Sequence, residues 1–443
     1  MRRPLWRGLL LGIAAMLLVA GAGWLYGRHA VPAPAVERMP SGGGPRSYGD
    51  AVARANAVLI GARQLAADHR GEWLFAERLA NAHITRARLT GDVADYAAAQ
   101  AALDHGFAVA DRGAGPHQTQ LALAMAMHRL TQAEAMADAI DHYAVRPEIE
   151  DLVELRLVRG DIALYRGDIR GAVARYRAAG TDPADSRLAL RLAEVAARTG
   201  RPDAALALID DVERAARLPN AQFLADLALR RGTIELRRGN RDAAARHGAR
   251  AMRLFPGWWL AEAFHAQVDA LDGRSGAATA AFAAIARTSG SPEAMDALAS
   301  LYRAAGDAAR ARAWAGRAGA IWAERHRRFP EAFAGHFAEH ELAFGDPAKA
   351  LALARTDMAA RPYGQPRTTL AWALIANNDP RAALATLRPV FASGWISAES
   401  RLAESQALLL LGRGEAADRA RAAALAIDPG AAGPGAALLW FGH

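Results

Sequence analysis

The sequence predicts an all-α protein built by stacking helical hairpins, and three observations lead to this fold class. Apolar residues make up 52% of the 443-residue chain, although aromatic residues make up only 7%. The apolar content is therefore mostly Ala and Leu, which favour helices over strands. After residue 50 the apolar residues recur at helical spacing, without a clear period of two. Breaks at Gly-Asp, Gly-Arg and Pro return at a nearly fixed interval, which indicates a repeat array.

The composition also excludes several function classes. A charged fraction of 23% beside this apolar content argues against both a disordered chain and a polytopic membrane protein. The chain has no cysteine, so it has no disulfide, thiolate metal site or cysteine nucleophile. A net charge of +8 would favour an anionic partner, but half of it lies at Arg2, Arg3, Arg7 and Arg28. We therefore expect no nucleic-acid partner.

The N-terminus is expected to anchor the protein in a membrane. Residues 1–7 form a short basic tail, and residues 8–27 contain no charged side chain. A helix of this length rises about 30 Å, which is the thickness of the hydrocarbon core. Trp6 and Trp24 lie near its ends, where aromatic rings prefer the interface. The positive-inside rule keeps the arginines in the cytoplasm. The helix would then cross the bacterial inner membrane, and the body of the protein would lie in the periplasm.

A cleaved signal peptide is the alternative for the same segment. Its apolar region usually covers about 7–15 residues and ends in small residues, which Ala20, Gly21 and Ala22 supply. The apolar run continues past this site to Tyr26, which favours the uncleaved anchor. A mature N-terminus near Gly23 would instead identify a signal peptide, and the body would be exported in either case.

Two less regular regions precede the clear repeats. Residues 28–48 contain four prolines and a run of three glycines, which predicts a linker. Residues 49–145 are interpreted as divergent helical repeats that cap the array. Within them, 89–92 has the composition of a hairpin turn, and a second turn is expected at Thr131-Gln132.

The repeats are clearest over residues 146–432, where a turn residue is followed five positions later by alanine. The turn residues are 33 to 39 positions apart, and Asn378, the next best residue for a left-handed turn, replaces glycine once. The pairs are Gly167 and Ala172, Gly200 and Ala205, Gly239 and Ala244, Gly273 and Ala278, Gly306 and Ala311, Gly345 and Ala350, Asn378 and Ala383, and Gly412 and Ala417. Three units close at a common offset with Pro256, Pro362 and Pro429.

These units resemble the tetratricopeptide repeat, a helical hairpin with small residues where its two helices cross. One unit shows this pattern at Gly160, Gly167, Ala172, Tyr176 and Ala179, and another at Gly232, Gly239, Ala244, Ala251 and Pro256. The resemblance implies a right-handed superhelical solenoid of about eight to ten hairpins. Such solenoids commonly bind extended peptides or helices on their concave face. The sequence departs from the family at Arg159 and Arg231, where large apolar residues are usual.

The sequence contains no nucleophile elbow, phosphate loop or dinucleotide fingerprint, so we expect neither an enzyme nor a cofactor. One segment, His336-Phe-Ala-Glu339-His340, has two histidines four positions apart on one helical face. Such a pair could hold a metal ion with Glu339 beside it, although no third ligand is evident. An accessory role in nickel, zinc or cobalt handling is therefore the alternative function.

The main functional prediction is a non-enzymatic scaffold or assembly factor tethered to the inner membrane. It would bind a protein or peptide in the solenoid groove on the periplasmic side. Arg159 and Arg231 give the early repeats a basic face, and Trp258 and Trp259 offer an aromatic anchor. The apolar tail, 433–443, is expected to dock on the last hairpin.

Overall fold

The computed structural model describes residues 38–145, 147–180 and 185–433. Over these residues the chain forms 21 α-helices and no β-strand, which confirms the all-α prediction. The helices are α1 Tyr48–Asp68, α2 Trp73–Thr90, α3 Val93–Val109, α4 His117–Ala126, α5 Leu130–Asp141, α6 Ile149–Tyr165, α7 Ile169–Ala179, α8 Ser186–Arg198, α9 Pro202–Ala215, α10 Ala221–Arg237, α11 Arg241–Leu254, α12 Trp259–Leu271, α13 Ser275–Ser289, α14 Pro292–Ala304, α15 Ala308–Arg328, α16 Pro330–Phe344, α17 Pro347–Ala360, α18 Gly364–Ala376, α19 Pro380–Ala392, α20 Ala398–Leu410 and α21 Gly414–Ile427.

After α1, the described helices pair into ten consecutive hairpins, from hairpin 1 (α2 and α3) to hairpin 10 (α20 and α21). Each hairpin packs mainly on the hairpins before and after it, as in a solenoid of the tetratricopeptide type. The second helix of hairpin 3 shows how the packing arises. Tyr176 of α7 is fully buried, and its ring lies on Gly160 of α6, where any β-carbon would collide with it.

The turns within the hairpins depend on a left-handed backbone conformation. Glycine supplies it in most hairpins; Gly167, for example, has a φ of 83°. Asn378 takes the same role with a φ of 59°. His128 does so in hairpin 2 with a φ of 56°, so this turn lies before the expected Thr131-Gln132, which are inside α5. Gly345 is the exception, with a φ of −125°.

The stack winds so that hairpins distant in sequence touch along their edges. The turn of hairpin 3, at Gly167, lies against Pro362 in the loop before hairpin 9. In hairpin 4, the backbone oxygen of Arg198 accepts a hydrogen bond from the nitrogen of Ile396, at 2.8 Å. Ile396 belongs to the loop before hairpin 10, so successive turns of the superhelix meet at a seam.

Several sequence predictions lie outside the described residues. These are the basic tail 1–7, the membrane helix 8–27, the first part of the linker and the tail from residue 434 onward. Among the described residues, no helix combines the length and the apolarity that crossing a membrane requires.

Candidate partner-binding groove

Two connected cavities lie along the first helices of hairpins 2 to 5. The smaller is about 400 Å³ and the larger about 650 Å³. Their walls share five residues, which are Leu164, Tyr165, Leu190, Glu194 and Arg230. They therefore form one continuous concavity, which we call the lumenal groove. It reaches Arg88 at one end, and Tyr363 and Trp395 from the next superhelical turn at the other.

Charged residues at helical spacing line the centre of the lumenal groove. On α8, Glu194 lies 2.6 Å from Arg198, and Arg237 of α10 approaches it at 3.6 Å. Burial raises the pKa of Glu194, but the positive charges of Arg198 and Arg237 outweigh this effect and lower the pKa to about 2. The Glu194 side chain is nevertheless 40% exposed, so it faces the concavity rather than the packed core. The carboxylate is thus ionised and within reach of a ligand.

Positive charge is concentrated around Glu194, because Arg237 approaches it as well as Arg198. Burial and the neighbouring charge of Arg198 lower the pKa of Arg237 to about 10, which still leaves it protonated at neutral pH. On the same helix, Arg230 pairs with Asp226 at 2.7 Å, and both side chains are more than two-fifths exposed. The centre of the groove therefore presents guanidinium and carboxylate groups side by side.

The end of the groove nearer the N-terminus is built around Arg191. Its guanidinium lies 2.8 Å from Glu154 and 2.9 Å from Asp161, which belong to α6. Asp161 also accepts a hydrogen bond of 2.7 Å from the hydroxyl of buried Tyr176. Burial raises the pKa of Asp161, an effect that the charge of Arg191 opposes. Arg191 thereby joins hairpins 3 and 4 in the wall of the groove.

Three aromatic rings close the other end of the groove across the seam. The rings of Tyr165 and Tyr363 meet edge to face at 5.4 Å, and Tyr363 meets Trp395 in the same way at 5.4 Å. The guanidinium of Arg198 lies over the Trp395 ring at 4.9 Å, and the indole also packs against Gly364. Burial raises the pKa of Tyr165 to about 12, so its hydroxyl stays protonated.

The arginines expected to bind a partner hold the hairpins together instead of lining the lumenal groove. Arg231 is buried and pairs with Asp210 and Glu213 of α9, each at 2.7 Å. Arg159 pairs with Asp138 and Asp141 on α5. Because adjacent helical residues point about 100° apart, Arg231 faces the neighbouring hairpin while Arg230 faces the groove.

The paired tryptophans also lie away from the walls of the groove. Trp258 is buried and meets Phe255 edge to face at 5.9 Å. Trp259 is half-buried and covers Gly91, in the turn of hairpin 1. Trp258 thus packs in the core, and Trp259 joins hairpin 6 to hairpin 1.

The predicted metal ligands occupy one side of α16 but have other partners. Buried His340 bonds to Asp296 at 2.7 Å, and Asp296 also accepts from Trp322 at 2.8 Å. His336 stacks on Trp322, with ring centres 5.4 Å apart, and lies 3.9 Å from Glu339. Within the described ranges no group of three or more His, Asp or Glu residues converges as metal ligands. Metal binding stays a prediction, which the zinc or nickel content of the His336→Ala/His340→Ala variant would test.

The residues of the groove that sequence reasoning missed are Tyr165, Glu194, Arg198, Arg230, Tyr363 and Trp395. Part of the signal was present in the sequence, because Arg191, Glu194 and Arg198 are spaced for one face of a helix. That spacing identifies a shared face but does not show that the face is concave.

Several solved structures resemble this chain at low sequence identity. The sequence matches no protein-family model and no curated protein. Among solved structures, a monomeric mutant of IFIT1 with Gppp-AAAA is 12% identical, covering 78% of this chain and 90% of that one, with a TM-score of 0.41. Yeast Tom70 is 13% identical, covering 86% and 88%, with a TM-score of 0.35. A tetratricopeptide repeat protein from Parabacteroides merdae is 15% identical, covering 59% and 98%, also at 0.35. Because these TM-scores are below 0.5, the assignment of a tetratricopeptide-type fold rests on the hairpins themselves.

Proposed function

We propose that this protein is a non-enzymatic scaffold or assembly factor that binds an extended segment of a partner protein in the lumenal groove. One observation carries the proposal. The groove is continuous along the first helices of hairpins 2 to 5 and combines aromatic rings with ionised side chains that face solvent. An extended polypeptide can follow such a surface and place successive side chains against successive hairpins.

The charges of the groove favour a polypeptide over a nucleic acid. Glu154, Glu194 and Asp226 lie beside the arginines and would face the phosphates of a bound strand. Binding of a nucleic acid gains most of its free energy by neutralising phosphates with unopposed cations. A polypeptide can instead offer both signs of charge, together with apolar side chains for the rings of Tyr165 and Tyr363.

We also propose that the scaffold is tethered to the bacterial inner membrane by residues 8–27, with its body in the periplasm. The support is the uncharged length of this segment and the arginines before it. N-terminal sequencing of the mature protein and extraction of membranes at alkaline pH test the tether. A mature N-terminus near Gly23, or release of the intact protein without detergent, would contradict it.

Site-specific photo-cross-linking tests the binding surface. A photoreactive amino acid at Leu190 or Thr233 faces the groove, whereas Ala178 is exposed on α7 and outside the groove walls. We expect one partner protein to be captured from both groove positions and not from Ala178. Capture of that partner equally from Ala178, or of RNA from the groove positions, would overturn the proposal.

A charge exchange provides the matched variant for this experiment. In the Asp226→Arg/Arg230→Asp double variant, the ion pair on α10 can re-form with its order reversed, so the fold is expected to persist. The groove then presents the opposite charge pattern, and we expect capture of the partner to fall by about tenfold, equivalent to about 1.4 kcal/mol. Unchanged capture by a correctly folded variant would show that these groups do not select the partner.

A further inference from the structure

A second groove lies where the described chain ends. Its volume is about 780 Å³, and the segment Pro429–Gly433 contributes to its wall. The remaining wall comes from hairpins 5, 6, 7 and 10; Leu271, Leu301 and Leu425 form apolar parts of it, and Arg241, Arg303 and Arg421 form charged parts. We infer that residues 434–443 of this chain dock in this C-terminal groove and cover it. The inference does not depend on what binds in the lumenal groove.

The winding of the hairpins supports this placement. The turns of hairpins 3 and 4 contact the loops before hairpins 9 and 10, six hairpins further along. The turn of hairpin 5, at Gly239, contacts Asp428 and Pro429 in the same manner. Residues 428–433 therefore take the place of the loop before an eleventh hairpin. The first helix of such a hairpin would begin directly after Gly433, and the C-terminal groove adjoins that place.

The composition of the segment matches the apolar part of the groove walls. Residues 436–441 read Ala-Ala-Leu-Leu-Trp-Phe, an uninterrupted apolar run. Ten residues span about 15 Å as a helix and about 33 Å when extended, so the run can reach the walls from Gly433. Leu438, Trp440 and Phe441 would pack against the three leucines of the groove wall. This packing would remove apolar surface of the segment and of the wall from water.

One polar group in the groove also lacks a partner. The Ser300 hydroxyl oxygen is buried, in a residue only 8% exposed, and has no hydrogen-bond partner within the part of the chain that the structure describes. A buried hydroxyl without a partner is costly and normally finds one. A backbone group of the docked segment would satisfy it once the Ser300 side chain rotates toward the groove.

Cross-linking in the cysteine-free chain tests the inference. Gly442→Cys marks the segment without removing an apolar residue, and Ser275→Cys marks an exposed position in the groove wall. The control pairs Gly442→Cys with Ala67→Cys, which is exposed on α1, a helix that forms no wall of the C-terminal groove. With a short bismaleimide, we expect the intramolecular cross-link to form at least about tenfold faster in the groove pair, because docking raises the local concentration.

A variant of the segment completes the experiment. Adding Trp440→Ser and Phe441→Ser to the groove pair should lower its cross-linking rate to that of the control pair. Circular dichroism would verify that all variants keep the same helix content. Equal rates for the groove and control pairs would overturn the inference, and so would cross-links that form only between separate molecules. Loss of the partner from the lumenal groove would leave this result unaffected.

Discussion

The packing of Tyr176 on Gly160 predicts that Gly160→Ala destabilises the array. A β-carbon at residue 160 would lie 2.3 and 2.4 Å from two ring carbons of Tyr176, far inside contact distance. The ring cannot easily move, because it is fully buried and its hydroxyl donates to Asp161 at 2.7 Å. Overpacking of this kind costs about 1–3 kcal/mol. Alanine gains about 0.5–1 kcal/mol over glycine in a helix, so the middle of these ranges gives an expected net loss of about 1.3 kcal/mol.

Urea unfolding followed by circular dichroism measures this loss. The matched control is Gly316→Ala, at an exposed position within α15 where an added β-carbon meets no atom within 4 Å. The control should be more stable than the parent by about 0.5–1 kcal/mol, since only the helix preference acts there. An unfolding midpoint for Gly160→Ala at or above that of the parent would refute the packing argument.

Three further predictions concern a turn, a buried ion pair and a carboxyl group. Asn378→Ala should lose about 1 kcal/mol in urea unfolding because alanine is strained at a φ of 59°, whereas Asn378→Gly should not. Arg231→Met should lose about 2 kcal/mol, because it removes one of the two arginines paired with buried Glu213; a loss below that of Asn378→Ala would count against this pairing. Burial and the charge of Glu399 raise the pKa of Glu339 from 4.5 to about 8. The folded state therefore keeps this proton up to a higher pH than the unfolded state does. Protonation of Glu339 stabilises the fold fully below pH 4.5, and this stabilisation is lost as the pH rises to about 8. Between pH 4.5 and 8 the melting temperature of Glu339→Gln should therefore fall less steeply with pH than that of the parent. An equal slope for the two proteins would contradict the assigned pKa shift.

The hairpins could be predicted from sequence because the forces that define them act locally. Gly160 and Tyr176 are 16 positions apart, and both belong to one hairpin. The left-handed turn at Gly167 likewise depends on its own backbone, and Ala172 is fully buried against the adjacent helix. In a repeat array most contacts join neighbouring units, so one repeating pattern contains most of the information about the unit.

The lumenal groove could not be predicted in the same way, because its walls meet across the seam. Tyr165 and Tyr363 are nearly 200 positions apart in the sequence, and so are Arg198 and Trp395. Their contact depends on the small rotation between successive hairpins, which accumulates over six hairpins and appears in no single repeat.

The groove is therefore a property of the wound array and not of any one hairpin. Hairpins 4 and 5 supply Glu194, Arg198 and Arg230, but Tyr363 and Trp395 come from the loops before hairpins 9 and 10. A chain ending after α17 would keep eight hairpins and each of their turns, yet it would lose the aromatic end of the groove. Folding of the shortened array should decline gradually with the number of hairpins, because most stabilising contacts are between neighbours. Partner binding should instead fall at one step, when the seam that closes the groove is removed.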